Sequence, residues 1–124
     1  MDPSGKAEAA RDALDDRKAE DVRLLDLRGA SAVTDFVMVA TGNSAPHLKA
    51  LSNAVMRRLK DGGEHCYRHA GQPEGGWLVL DYIDVVIHIF SREARMYYAI
   101  EDLWPDAPRR ERPAHPHPPA GPAS

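Results

Sequence analysis

The chain has 124 residues, a net charge of −3 and 43% hydrophobic residues. This length allows the core of one domain, and the mild acidity argues against a general polyanion-binding protein. The single cysteine, Cys66, excludes an intrachain disulfide and is typical of a reducing compartment. No signal-peptide pattern and no apolar run of about 20 residues is present, so we expect a soluble cytoplasmic protein without membrane contact.

The N-terminal part of the chain predicts one helix followed by two strands. Residues 5–20 have a helix-forming composition with a narrow apolar stripe, and Asp2 or Ser4 can cap the start of this helix. Residues 22–27, V-R-L-L-D-L, predict a strand. Residues 35–41 are apolar on both faces, so this second strand is expected at the centre of a sheet.

The middle of the chain predicts a strongly amphipathic helix. Asn43 or Ser44 is a suitable N-cap, and leucine and valine residues follow at helical spacing until Gly62 and Gly63 end the helix. The outward side carries basic residues, which predict a solvated face or, as the alternative, contacts with RNA phosphates. These residues are Lys49, Arg57, Arg58 and Lys60.

The next part of the chain predicts three strands and a last helix. The strands are expected around residues 65–69, 77–81 and 84–90, and the last two form a tight pair. Ser91 is predicted to cap a helix with one apolar side. That side comprises Met96, Tyr97, Ile100, Leu103 and Trp104.

The predicted order of elements is αββαβββα. This order indicates a mixed α/β domain of the α+β type, in which helices pack on a mixed sheet of about five strands. We expect this single domain to cover residues 1–104. Residues 105–124 contain seven of the ten prolines and no large apolar residue, and they predict an extended, disordered tail.

Two aspartates of the tight strand pair form the first candidate site. Asp81 and Asp84 could hold a divalent metal for nucleotidyl transfer, with an anion at the turn formed by residues 42–44. Such carboxylates usually lie two residues apart on one strand, so that both face one side, whereas the spacing here is three. The turn carries no Walker lysine and is better interpreted as a helix cap. We therefore predict neither a metal site nor a catalytic residue.

Aromatic residues and a histidine accompany these carboxylates. Asp84 and His88 share a face of a regular strand, as a general base and its partner would, but no motif marks a nucleophile. His88 is better interpreted as a residue satisfied by a neighbour at the sheet edge, or as part of a binding face. Trp77 begins a strand, where side chains are often partly exposed, and with Tyr82 and the acidic residues it predicts a protein-binding patch.

Several long motifs resemble one known family. They are A-L-D-D-R-K-A-E-D-V-R-L-L-D-L-R-G, T-D-F-V-M-V-A-T-G-N-S-A-P-H-L-K-A-L, G-W-L-V-L-D-Y-I-D-V-V-I-H-I-F and R-M-Y-Y-A-I-E-D-L-W-P-D-A. In this order they resemble the ribosomal silencing factor family, also called the Iojap family, over about residues 9–107. Ile83 departs from the glycine of the family's D-Y-G-D pattern, which alters the turn between the two aspartates.

The resemblance implies that the fold is similar to that of nucleotidyltransferases. It also implies that the protein lacks their activity and binds no cofactor. It implies binding to large-subunit ribosomal protein fourteen on the face that joins the small subunit, which blocks subunit joining when nutrients are short. From the matched motifs and their chemistry we predict that Trp77, Asp81, Tyr82 and Asp84 contact this partner, together with His88. The aromatic residues would be desolvated anchors, and the carboxylates would meet lysine and arginine.

Three further possibilities stay open at this point. The alternative function is a metal-dependent nucleotidyltransferase-like enzyme, for which the paired aspartates are the reason. Beyond the ribosomal protein, the chain is compatible with a minor contact to ribosomal RNA and with a homodimer, for which the apolar strand edge and Trp104 are the reasons.

Overall fold

A computed structural model of the chain describes residues 1–30 and 32–98, and within them the predicted order αββαβββα is confirmed. A short 3₁₀ turn, Pro73–Gly75, is the one addition among these residues. The helices are α1 (Pro3–Asp16), α2 (Ala45–Asp61) and α3 (Arg92–Tyr98). The strands are β1 (Glu20–Asp26), β2 (Phe36–Gly42), β3 (Arg68–Gln72), β4 (Trp77–Asp81) and β5 (Val85–Ser91).

Side-chain caps determine where the helices begin. Asp2 accepts a hydrogen bond from the N–H of Gly5 at the start of α1, so Asp2 rather than Ser4 is the N-cap. Ser44 caps α2 by accepting from the N–H of His47 at 3.1 Å, and Ser91 accepts from the N–H of Ala94. Ser91 was predicted in this position, and Ser44 was one of the two residues predicted as the cap of α2, the other being Asn43.

The five strands form one mixed sheet in the order β1-β2-β5-β4-β3. β2 and β5 run parallel, and the other neighbouring pairs are antiparallel. Every residue of β2 is buried, which confirms the prediction of a central strand. Helices α1 and α2 pack on one face of the sheet, and α3 contributes to the smaller core on the opposite face.

The predicted range of β3 is wrong by three residues. The prediction was residues 65–69, whereas the strand runs from Arg68 to Gln72. Its partner β4 ends at Asp81, and Arg68 is the residue opposite Asp81, so no ladder is available to residues before Arg68. The N–H of Tyr67 still donates to the carbonyl of Asp81 at 2.9 Å.

Part of the sequence-based description lies outside the described residues. This applies to the proline-rich tail at residues 105–124 and to Ile100, Leu103 and Trp104 of the predicted apolar helix side. Within residues 1–30 and 32–98, no helix is long and apolar enough to cross a membrane.

Candidate functional site at the β4–β5 turn

The turn between β4 and β5 is held in place by hydrogen bonds on every side. The N–H of Ile83 donates to Asp81 Oδ1 at 2.7 Å, and the N–H of Tyr82 donates to the carbonyl of Val85 at 2.9 Å. The carbonyl of Asp84 accepts from the N–H groups of Asp35 and Phe36, at 2.9 and 3.0 Å. The turn is therefore fixed both to its own strands and to the beginning of β2.

Ile83 adopts a left-handed backbone conformation within this turn. Its φ is +74°, and the residue is 58% exposed. A β-branched residue rarely adopts a positive φ, because its Cβ then approaches the following carbonyl oxygen. The surrounding hydrogen bonds impose a conformation that only glycine would adopt without strain.

Replacing Ile83 by glycine is expected to raise the free energy of unfolding by about 1 kcal/mol. Relief of the left-handed strain contributes about 1–2 kcal/mol, and the greater entropy of glycine in the unfolded chain offsets part of it. Urea denaturation of the purified full chain would measure the change. Ile83→Ala is the matched control, since it keeps the Cβ and should leave stability nearly unchanged. An Ile83→Gly variant that is less stable than the unchanged protein would contradict the inference that Ile83 is strained.

The two aspartates of the turn face different cations. Asp81 accepts from Ile83 through Oδ1, and its Oδ2 lies 3.6 Å from Arg68 Nη2. Asp84 Oδ1 accepts from Lys6 Nζ at 2.8 Å. The two carboxylates therefore do not form one shared site. Within the described ranges, no group of three or more histidine, cysteine, aspartate or glutamate residues is arranged to hold a metal ion.

Lys6 is a charged residue beneath this turn that sequence analysis missed. Its side chain is only 8% exposed, and Nζ lies 2.8 Å from Asp84 Oδ1 and 3.1 Å from Glu64 Oε1. Burial lowers the pKa of Lys6, but its hydrogen bonds to Asp84 and Glu64 outweigh burial and the pKa is raised overall. One signal was available in the sequence, because Lys6 precedes the buried Ala10 by four residues and so shares its helix face.

Three of the five residues predicted to contact a partner are buried. Trp77 and Tyr82 are each 3% exposed, and His88 is 0% exposed. The expectation of a partly exposed Trp77 is wrong, because β4 lies inside the sheet and the indole packs against Phe90 and Tyr98, with ring centroids 5.0 and 4.3 Å away. These three side chains therefore offer almost no surface to a partner.

His88 belongs to the core and not to an edge or a binding face. It pairs with Val39 of β2 on one side and Val79 of β4 on the other. Its Nδ1 accepts a hydrogen bond from Trp77 Nε1 at 2.9 Å, which leaves the proton of a neutral ring on Nε2. Because Asp84 is turned to Lys6, the suggested pairing of Asp84 with His88 as a general base is not formed.

Tyr82 and Cys66 lie together under the turn. Burial is the main cause that raises the pKa of the Tyr82 phenol, and burial likewise raises the pKa of the Cys66 thiol. The thiol also donates weakly to the carbonyls of Arg68 and Asp81, at 3.2 and 3.7 Å. Both groups stay protonated near neutral pH, which gives Cys66 little nucleophilic character.

The turn at residues 42–44 uses its polar groups locally. The N–H of Asn43 donates to His47 Nδ1 at 2.9 Å, and Ser44 Oγ caps α2. His47 Nε2 lies 2.8 Å from the carbonyl oxygen of Arg17. This arrangement agrees with the interpretation as a structural turn and helix cap.

These features define a small mixed α/β domain whose distinctive surface is a rigid turn with carboxylates and an exposed apolar residue. The chain belongs to the ribosomal silencing factor family, since the family described as "Ribosomal silencing factor during starvation" matches residues 2–123. The match extends beyond residues 9–107, on which the resemblance rested, and includes most of the proline-rich segment. The family is named for silencing and not for an enzymatic reaction.

Curated relatives and solved structures agree with this assignment. The chain is 36% identical over 102 residues to the ribosomal silencing factor of Halalkalibacterium halodurans, covering 82% of this chain and 87% of that protein. It is 36% identical over 96 residues to that of Bacillus subtilis, covering 77% and 81%. A crystal structure of a Chromobacterium violaceum protein superimposes with a TM-score of 0.81 at 33% identity, covering 92% of each chain.

Proposed function

We propose that this protein represses translation by binding the large ribosomal subunit in the cytoplasm and blocking its association with the small subunit, above all when nutrients are limiting. Membership of the ribosomal silencing factor family over residues 2–123 is the observation that carries this proposal. The proposed partner is large-subunit ribosomal protein fourteen, on the face that joins the small subunit. The action is steric and needs no catalysis, metal or cofactor.

The physical requirements of such a mechanism are modest. A domain of this size can cover a specific interface of roughly 1,200–2,000 Å² in total, which is enough to occupy part of a joining surface. Asp81 and Asp84 at the β4–β5 turn would meet basic side chains of the ribosomal protein, which gives orientation and a faster encounter. Tyr82 would hold the turn from below, whereas Trp77 and His88 lie further along the strand pair, opposite Phe90 and Val79.

The contacts of the two aspartates also bear on the alternative function, a metal-dependent nucleotidyltransferase. Asp84 accepts a hydrogen bond from Lys6. Asp81 accepts one from the N–H of Ile83 and also lies near Arg68. A metal shared by the two carboxylates would require both of them to leave these partners. No contact of the described residues favours this function. Calorimetry with nucleotide and Mg²⁺ is expected to show no binding. Tight Mg²⁺-dependent binding of nucleotide would instead support the nucleotidyltransferase alternative.

Replacing Asp81 by asparagine is expected to weaken binding to purified large subunits about five- to tenfold. Asparagine keeps an oxygen that can accept from the N–H of Ile83 but removes the charge offered to a basic partner. Co-sedimentation over a range of protein concentrations would measure the affinity. Asp81 is preferred to Asp84 for this test, because a change at Asp84 would also leave Lys6 without its nearest carboxylate.

A matched control is available on α1. Asp12 is an exposed carboxylate with no role in the turn, and Asp12→Asn removes the same charge. This variant should bind large subunits as the unchanged protein does. Equal affinities of the Asp81→Asn, Asp12→Asn and unchanged proteins would remove Asp81 from the interface.

A further inference from the structure

Two exposed hydrophobic residues flank Asp81 at the end of the sheet. Tyr67 is 66% exposed and Ile83 is 58% exposed. The backbone N–H groups of both residues donate to Asp81, that of Tyr67 to the carbonyl at 2.9 Å and that of Ile83 to Oδ1 at 2.7 Å. Tyr67, Asp81 and Ile83 are therefore neighbours at this end of the sheet, and Asp84 follows Ile83 in the chain.

The fold of this chain gives no reason for an isoleucine at position 83. The side chain is largely exposed, so it gains little from burial, and its backbone has a φ of +74° that disfavours every β-branched residue. Glycine would form the same turn without strain. An outlier of this kind at an exposed site points to a role outside the monomer.

We propose that Ile83 is a specificity-determining contact residue, whose side chain enters an apolar recess bordered by lysine or arginine on a basic protein surface. This inference rests on the proposed function and specifies the contact that the ribosomal partner would make. The carboxylates of Asp81 and Asp84 stand on either side of Ile83 in the chain and complement such a border. The exposed side chain of Ile83 offers neither a charge nor a hydrogen-bond donor to an RNA phosphate, which favours a protein over RNA as the occupant.

The rigidity of the turn supports this role. The N–H of Ile83 donates to Asp81 Oδ1. The carbonyl of Asp84, the next residue, accepts from the N–H groups of Asp35 and Phe36. A contact residue presented on a fixed backbone loses little conformational freedom when it binds, so its apolar contact converts more fully into affinity. Tyr67 extends the apolar area beside it.

The test compares variants of the full chain in binding to purified large subunits, with the melting temperature of each variant measured in parallel. Ile83→Ala should bind about tenfold more weakly with an unchanged melting temperature, since it loses the apolar side chain and keeps the strained backbone. Ile83→Gly should bind as weakly and melt at a higher temperature. Ile83→Val should retain most of the affinity. Met96→Ala removes an exposed apolar side chain on α3 and should bind as the unchanged protein does.

The possible outcomes separate this inference from the function on which it rests. If Ile83→Ala binds as tightly as the unchanged protein, Ile83 is not a contact residue, while the proposed function stands. If the unchanged protein fails to bind large subunits, the proposed function fails and the inference fails with it. Equal binding of the unchanged protein to protein-free ribosomal RNA would contradict a protein recess as the occupant.

Discussion

Replacing Lys6 by methionine is expected to lower the free energy of unfolding by about 2–3 kcal/mol. Methionine fills a similar space but leaves Asp84 Oδ1 and Glu64 Oε1 without the ammonium group that lies 2.8 and 3.1 Å away. Removing one partner of a fully buried ion pair costs about 3–5 kcal/mol. The loss here should be smaller, because the side chains of Asp84 and Glu64 remain 29% and 22% exposed to water.

Urea denaturation of the full chain measures this effect, and two further variants identify its cause. Lys60→Met changes an exposed lysine of α2 and should alter stability by less than about 0.5 kcal/mol. Adding Asp84→Asn to Lys6→Met should recover part of the loss, since it removes one of the uncompensated charges. If Lys6→Met proves as stable as Lys60→Met, the contact with Asp84 does not stabilise the turn.

Replacing Trp77 by phenylalanine is expected to lower the free energy of unfolding by about 2 kcal/mol. The hydrogen bond from Trp77 Nε1 to His88 Nδ1 is lost, and His88 is 0% exposed, so water cannot replace the donor without entering the core. A buried acceptor without its partner costs about 1–3 kcal/mol, and the smaller ring adds a packing defect against Tyr98.

A double-mutant cycle with His88→Leu separates the hydrogen bond from the packing. The two substitutions should be less harmful together than the sum of their separate effects, by about 1 kcal/mol, because the second removes the orphaned acceptor. Thermal and urea denaturation of the four proteins would give this coupling energy. Strictly additive losses would show that the bond between Trp77 and His88 contributes nothing beyond packing.

The element order of this fold could be predicted from the sequence because its signals are local. The apolar run at residues 35–41 identified the central strand β2, and the helical spacing after Ser44 identified α2. The caps at Ser44 and Ser91 depend only on neighbouring residues, so Ser91 was predicted and Ser44 was one of two candidates. Each of these features lies within one continuous segment of the chain.

The candidate site was harder to predict because it depends on contacts distant in sequence. Lys6 and Asp84 are 78 residues apart, and no local pattern brings them together. The burial of Trp77 and His88 follows from the places of β4 and β5 inside the sheet, which the strand sequences alone do not reveal. The left-handed φ of Ile83 is imposed by the turn against the preference of the residue itself.

The surface proposed for binding therefore differs from the one expected from the motif. Asp81 and Asp84 stay as candidate contact residues, Ile83 and Tyr67 join them, and Trp77, Tyr82 and His88 belong to the core. Such a division is common at interfaces, where a few exposed anchors rely on a rigid layer below them.

A subunit-joining assay measures directly whether the protein blocks the association of the two ribosomal subunits. Purified large and small subunits would be mixed at a Mg²⁺ concentration that favours association, with increasing amounts of the full-length protein, and the particles separated on sucrose gradients. Excess protein is expected to reduce the joined particles and to sediment with large subunits, while Ile83→Ala should require a higher concentration for the same effect. Unchanged joining at saturating protein would contradict the proposed function.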